Sequence, residues 1–239
     1  KDFEMRPSAN WLPALPTYRL MAEYSLWSAD LINMGAEIAR VDAHADIYHI
    51  DVADGHCSPA PLFFPGLVVA CRKVTAKPFH VHLMTTDNIL LDQIRQYAEA
   101  GADLISIHAE NGNADEVLAL IHDLGLLSGI VLQLQTPVAD AARWLDRISM
   151  LTLLGTRIGI KGQVLDPMAE PRLTEARALI AAASPAQRIM LAADGGIREH
   201  TVPGLSRAGA ETIVMGPLAF NAPDLDARMA WVHAQPIAA

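Results

Sequence analysis

Eight short, almost wholly apolar runs alternate with segments of helical periodicity along this chain, and few folds accept that alternation. The runs read as strands around 19–26, 47–52, 78–84, 104–108, 129–134, 150–154, 188–193 and 211–215. Strands this apolar must be covered on both faces. The segments between them show one apolar face each. Leu31, Met34, Ile38 and Val41 follow the helix start Ser28-Ala29-Asp30, and Ile89, Leu90, Ile94 and Tyr97 precede the stop Gly101. Two architectures remain: an open doubly wound sheet and a closed barrel. The open sheet favours a glycine-rich turn after its first strand, where this chain has Ser25-Leu26-Trp27-Ser28. Polar residues also end the second, third and seventh strands, and a barrel gathers such ends at one mouth. The predicted fold is a single-domain α/β protein, a (β/α)8 TIM barrel over residues 19–239 with a C-terminal helix. Residues 1–18, with Pro7, Pro13 and Pro16, read as an irregular leader.

A chain of 239 residues that is 51% hydrophobic can bury one large core. No apolar run reaches the roughly 18 residues of a membrane-spanning helix, and the polar start Lys1–Arg6 lacks a signal region. Cys57 and Cys71 match neither a disulfide framework nor a zinc motif. A cytoplasmic protein with no membrane partner is expected. The net charge of −9 argues against nucleic acid, and any anionic substrate needs a local positive or amide-lined site.

Chemistry concentrates at the strand ends. In Ile47-Tyr48-His49-Ile50-Asp51-Val52, side chains alternate, so His49 and Asp51 share one face. Burying both is costly without a partner, and a divalent metal is a common one. On this stretch alone, a satisfied core histidine beside an ordinary acid reads as well. A second apolar strand then repeats the pattern in Phe79-His80-Val81-His82-Leu83-Met84, and a third ends in Asp194-Gly195-Gly196.

In their order along the chain, Ser25-Leu26-Trp27-Ser28-Ala29-Asp30, His49-Ile50-Asp51-Val52-Ala53-Asp54-Gly55-His56, Val81-His82-Leu83-Met84, Ile107-His108-Ala109-Glu110 and Ala193-Asp194-Gly195-Gly196-Ile197 resemble the ribulose-phosphate 3-epimerase family. The resemblance implies a metal-dependent isomerase of carbohydrate metabolism. Its substrate would be a phosphorylated ketose, of the ribulose-5-phosphate/xylulose-5-phosphate (pentose phosphate) type or a four- or six-carbon analogue. His49, Asp51, His82 and Asp194 would hold one divalent metal per chain, zinc first, with iron(II), manganese or cobalt also compatible. Asp51 and Asp194 would be the catalytic acid/base pair, acting on opposite faces of C3 through an enediolate. The resemblance also places Ser25, His82, Met84, Gly159, Ile160, Lys161, Gly162, Gly195, Gly196, Gly216 and Pro217 around the substrate. A homo-oligomer, dimer or hexamer, is expected.

His80 reads as a core or supporting histidine, and Asp54 and His56 as turn chemistry around Gly55. His108 reads equally as mouth lining or as support for a ligand. His44, His122, His200 and His233 read as surface or helix residues.

The chain departs from the family at its anion site. Pro217, which has no backbone N–H, stands where serine is usual. The loop usually read as Asn-Pro-Gly-Phe-Gly-Gly-Gln is Arg157-Ile158-Gly159-Ile160-Lys161-Gly162-Gln163, adding Arg157 and Lys161. Ala53 replaces a methionine that packs over the site, predicting a roomier pocket. Two alternatives remain at this stage. One is a barrel aldolase with Lys161 as Schiff-base lysine; the other is a non-catalytic sugar-phosphate binder.

Overall fold

The computed structural model describes residues 5–238; residues 1–4, the start of the expected leader, and residue 239 lie outside the described residues. The described strands are β1 (Met21–Ser25), β2 (Ile47–Asp54), β3 (Pro61–Leu62), β4 (Phe79–Met84), β5 (Leu104–His108), β6 (Leu127–Leu132), β7 (Met150–Leu154), β8 (Met190–Asp194) and β9 (Thr212–Met215). All but β3 are parallel and run β1-β9-β8-β7-β6-β5-β4-β2, and β1 pairing with β2 closes the ring. This is the eight-stranded (β/α)8 TIM barrel that the alternation predicts. β3 is a short antiparallel arm on the end of β2, unforeseen in sequence, pairing Leu62 with Ala53.

Period-two alternation divides the apolar residues into two cores. Outward-facing Tyr24, Tyr48, Ile50, Val81 and Ile105 pack beneath the helices with Ile38, Leu90, Ile94 and Ile121. Inward-facing Met21, Ile47, Leu104, Met150 and Met190, each at or near the start of its strand, fill the amino end of the barrel. Trp11 and Leu12 join this inner cluster from a short helix, Trp11–Ala14, so part of the expected irregular leader is a plug. Their apolar side chains decide it: the barrel end is the apolar surface within reach.

Some boundaries differ from expectation. After β1 comes a single 3-10 turn, Leu26–Ser28, and the helix begins only at Met34. Leu31, expected on its apolar face, is exposed. The fifth barrel strand starts at Leu127, two residues early, and Thr136-Pro137 leads into a 3-10 segment, Val138–Trp144. The helix before β8 starts at Ala169, and the helix after it at Val202 rather than Glu199. Both cysteines are free thiols, and among the described residues no helix is long and apolar enough to cross a membrane.

Candidate functional site

At the carboxyl ends of β2, β4 and β8, four side chains converge. His49, Asp51, His82 and Asp194 each place a ligand-competent atom within 4.8 Å of the others. His49 Nε2 lies 3.3 Å from Asp51 Oδ1 and 3.9 Å from Asp194 Oδ2. His82 Nδ1 lies 3.5 Å and 3.7 Å from the same two acids. The register explains the approach: Asp51 faces His82 across β2 and β4, whereas Asp194 arrives from β8, with β1 and β9 between it and β2.

The residues fit a divalent cation by an independent observation. His49 Nε2 and His82 Nδ1 are buried with no hydrogen-bond partner, and both are turned toward the acids. Two imidazoles and two carboxylates form a donor set that zinc, iron(II), manganese or cobalt accepts. The electrostatics agree. Burial opposes a charged His49, but Asp51, Glu23 and Asp194 outweigh it and hold its pKa well above the usual. Burial likewise opposes an ionised Asp51, but His49 and His82 hold that carboxyl well below its usual range. Asp194 is pushed up, first by burial and further by the Asp51 charge. The two acids therefore occupy unlike environments, the arrangement that lets one fold run acid and base chemistry together.

Each imidazole is braced from behind. His49 Nδ1 lies 3.1 Å from Glu23 Oε2, and His82 Nε2 lies 2.9 Å from His108 Nε2. His108 Nδ1 in turn faces Glu110 Oε2 at 3.2 Å. Burial pushes His108 down to about 4, which keeps it neutral and able to accept from His82. Ser25 donates to Asp51 Oδ2 at 2.8 Å. Asp54 caps its own turn, accepting from the backbone N–H of His56 and Cys57 and from Thr86. His80 bonds Glu23 and Ser106 deep in the barrel and packs its ring edge-on against His49, 4.7 Å between centroids, without joining the four converging side chains. His44 faces Asp226, and His122 faces Ser128, at the periphery.

Above the cluster opens a cavity of about 280 Å³. Asp51, His82 and Asp194 lie on its floor, while His49 is fully buried below. Ser25 and Met84 line the wall, as do Gly159, Ile160, Lys161 and Gly162 from the loop after β7. Gly195, Gly196, Gly216 and Pro217 complete it from the loops after β8 and β9. Ala53 is buried beside Met84 and lies outside this lining. Gly195 and Gly196 have φ of 87° and 72°, and a Cβ on Gly195 would come within 2.3 Å of Thr156 Oγ1. Only glycine lets that turn pass so close to the loop after β7.

Sequence reasoning missed several residues here. Arg198 lines the cavity beyond the double glycine, so with Arg157 and Lys161 the lining holds three cations against the two floor aspartates. Lys161 Nζ donates to the Trp27 carbonyl, with the ammonium 4.5 Å from that ring's centroid. It thus bridges the mouth from β7 to β1. Gln163 holds its own loop closed through Arg157 O and Ile160 O. Glu23 was also missed; its signal is a carboxylate between Ala22 and Tyr24, inside an apolar strand and in phase with Ser25.

Comparison with known proteins converges on one family. The profile described as "Ribulose-phosphate 3 epimerase family" matches residues 21–220. Ribulose-phosphate 3-epimerase 2 of Cupriavidus necator is 34% identical over 206 residues, covering 84% of this chain and 85% of the relative. The Bacillus subtilis ribulose-phosphate 3-epimerase is 33% identical, covering 84% of this chain and 92% of the relative. Among solved structures, orotidine 5'-phosphate decarboxylase from Pyrococcus horikoshii superposes with a TM-score of 0.65 at 16% identity, over 90% of this chain and 98% of that one. A 3-hexulose-6-phosphate synthase gives 0.63 at 17%, over 92% and 100%. These two likenesses speak to the fold alone.

Proposed function

This chain belongs to the ribulose-phosphate 3-epimerase family, and from that premise we propose that it inverts C3 of a phosphorylated ketose. Membership makes it an isomerase acting on carbohydrates, a sugar-phosphate epimerase; the position inverted and the groups that do it are our reading. One observation carries it: Asp51 and Asp194 reach one cavity floor from strands separated by two others.

Epimerisation next to a ketone needs a base on one face of the carbon and an acid on the other. One aspartate takes the C3 proton, its bonding pair delocalises into an enediolate, and the other aspartate delivers a proton to the opposite face. Ser25, donating to Asp51, holds that carboxylate toward the cavity. His49, Asp51, His82 and Asp194 would hold a divalent cation, with zinc our first candidate among the metals this donor set accepts. Bound there, it supplies Lewis-acid stabilisation of the developing negative charge, a contribution of several kcal/mol. Arg157, Lys161 and Arg198 concentrate positive charge at the rim of a chain whose net charge is −9, which supports an anionic phosphate as the substrate's far end. Pro217 cannot donate an amide there, so side-chain cations take a larger share of anion recognition.

The test is a C3 proton-exchange screen in deuterated water over four- to six-carbon ketose phosphates, with elemental analysis of the same preparation. We expect exchange and epimerisation of one phosphorylated ketose, with one divalent metal per chain. Active protein with sub-stoichiometric metal and indifference to chelators would sink the metal assignment. Absence of C3 exchange with every ketose phosphate would sink the reaction.

A further inference from the structure

Directly beneath the cavity floor lies a carboxylate that the proposed reaction does not use. Glu23, on β1, is fully buried in the barrel interior, one pleat deeper than Ser25. Its Oε2 lies 3.1 Å from His49 Nδ1 and 2.7 Å from His80 Nδ1. An ionised carboxylate only accepts, so both nitrogens carry a hydrogen and donate to the same oxygen. The far nitrogen of His80 then accepts from the Ser106 hydroxyl, 2.7 Å away. The Ser106 Oγ occupies the space left by the missing side chain of Gly129, where a Cβ would come within 2.2 Å of it. The result is a hydrogen-bonded chain, Ser106 to His80 to Glu23 to His49, that ends on a cluster imidazole.

With its Nδ1 hydrogen committed to Glu23, His49 has one remaining nitrogen for the cluster. That is Nε2, buried without a hydrogen-bond partner and turned toward Asp51 and Asp194. His82 needs the opposite arrangement. Its Nδ1 faces the acids, so its Nε2 must carry the hydrogen, and His108 accepts it. Two imidazoles of one cluster thus require opposite tautomers, and each has a different partner that selects it.

We infer that Glu23 is a positioning residue: anchored by His80 and Ser106, it locks His49 in the ring orientation and tautomer that aim Nε2 at the cation. The inference rests on the reading of the cluster as a cation site. A carboxylate behind a ligating imidazole restricts ring rotation and raises ligand basicity, and losing such a partner typically costs about 10–100-fold in metal affinity. A carboxylate present only to satisfy the barrel core would leave that affinity unmoved.

The experiment compares the wild-type chain, Glu23→Gln and Ser106→Ala, each stripped of metal and refilled. Glutamine keeps the shape but can no longer accept two hydrogen bonds on an ionised oxygen. Zinc affinity is read by chelator competition, the coordination environment by the absorption spectrum of the cobalt(II) form, and folding by circular dichroism. Glu23→Gln should bind zinc about 10–100-fold more weakly, with an altered cobalt spectrum and a native fold. Ser106→Ala, which removes a hydroxyl bonded to His80 and leaves the backbone pairing of Ser106 with His82 in place, should shift affinity the same way by a smaller factor. It also decides the matter if Glu23→Gln fails to fold. Zinc binding and cobalt spectra equal to wild type in a folded Glu23→Gln, or in Ser106→Ala should that variant alone fold, would overturn the role of Glu23 alone. A wild-type protein that takes up neither metal would overturn the cation reading and Glu23's role with it.

Discussion

Asp51 and Asp194 differ in what surrounds them, and that difference can be read out one residue at a time. Asparagine keeps a side-chain oxygen for a cation but cannot shuttle a proton. With Asp194→Asn, Asp51 should still remove the C3 proton from the epimer that faces it and return a solvent proton to the same face. Deuterium should therefore enter one epimer with little epimerisation, and Asp51→Asn should show the reverse preference. Mass spectrometry of both epimers after incubation in deuterated water decides it. A wild-type epimerisation rate in either metal-loaded variant, or exchange of the same epimer by both, would count against two opposed bases. Lys161 poses a separate question. Its ammonium is held over Trp27 at the cavity wall. A charge-assisted contact to a phosphate contributes about 1.5–3 kcal/mol, so Lys161→Ala should raise KM roughly 10-fold or more while kcat changes less. Steady-state kinetics giving an unchanged KM would assign Lys161 to holding the loop on Trp27 alone.

Two loops with different jobs meet over the cavity. The loop after β7 crosses the mouth, and a Cβ on its Gly159 would come within 2.2 Å of Ser58 in the β2–β3 connection. That connection is anchored by Asp54, which also ties it to Thr86 at the end of β4. Burial raises the Asp54 pKa, but its hydrogen bonds to the Cys57, His56 and Thr86 amides outweigh that and hold it below the usual range. A depressed folded pKa means stability that is fully present above the unfolded value near pH 4 and lost as pH falls through the folded value. Asp54→Asn should therefore cost about 1 kcal/mol at neutral pH, kept modest by solvent exposure. It should also flatten the acid limb of the urea-midpoint profile. Parallel acid limbs for variant and wild type would show that Asp54's charge does not matter. The turn roles of Asp54 and Gly101 were legible because caps are local: donor and acceptor lie within a few residues. The 3-10 turn at Leu26–Ser28 was not legible, because the apolar spacing of Leu31, Met34, Ile38 and Val41 suggested a helix running on from Ser28, whereas Leu31 lies in solvent and the helix starts only at Met34.

At the scale of the whole molecule the barrel has two distinct ends, the proposed site at the carboxyl end and an apolar closure at the amino end. Trp11 is buried against the strand starts, far along the barrel axis from Asp51 and Asp194. Trp11→Ala should cost about 3–5 kcal/mol and lower Tm by on the order of 10 °C, with kcat below the transition essentially unchanged. A thermal melt within a degree or two of wild type would show that the plug contributes no stability. The amino-acid order by itself determined the alternation of eight apolar strands with helices, hence the barrel. It also determined which strand ends carry His49, Asp51, His82 and Asp194. Both are local properties, set by periodicity over a few residues and by the turn residue that follows. Only the closed tertiary structure decided what stands behind those residues. Glu23 meets His49 and His80 across 26 and 57 residues of chain. His108 meets His82 across 26 residues, and Trp11 meets strands throughout the chain. The physical reason is register. Side-chain periodicity states which face a residue occupies, but the height at which two faces meet inside the barrel is set when β1 pairs with β2 and the ring closes.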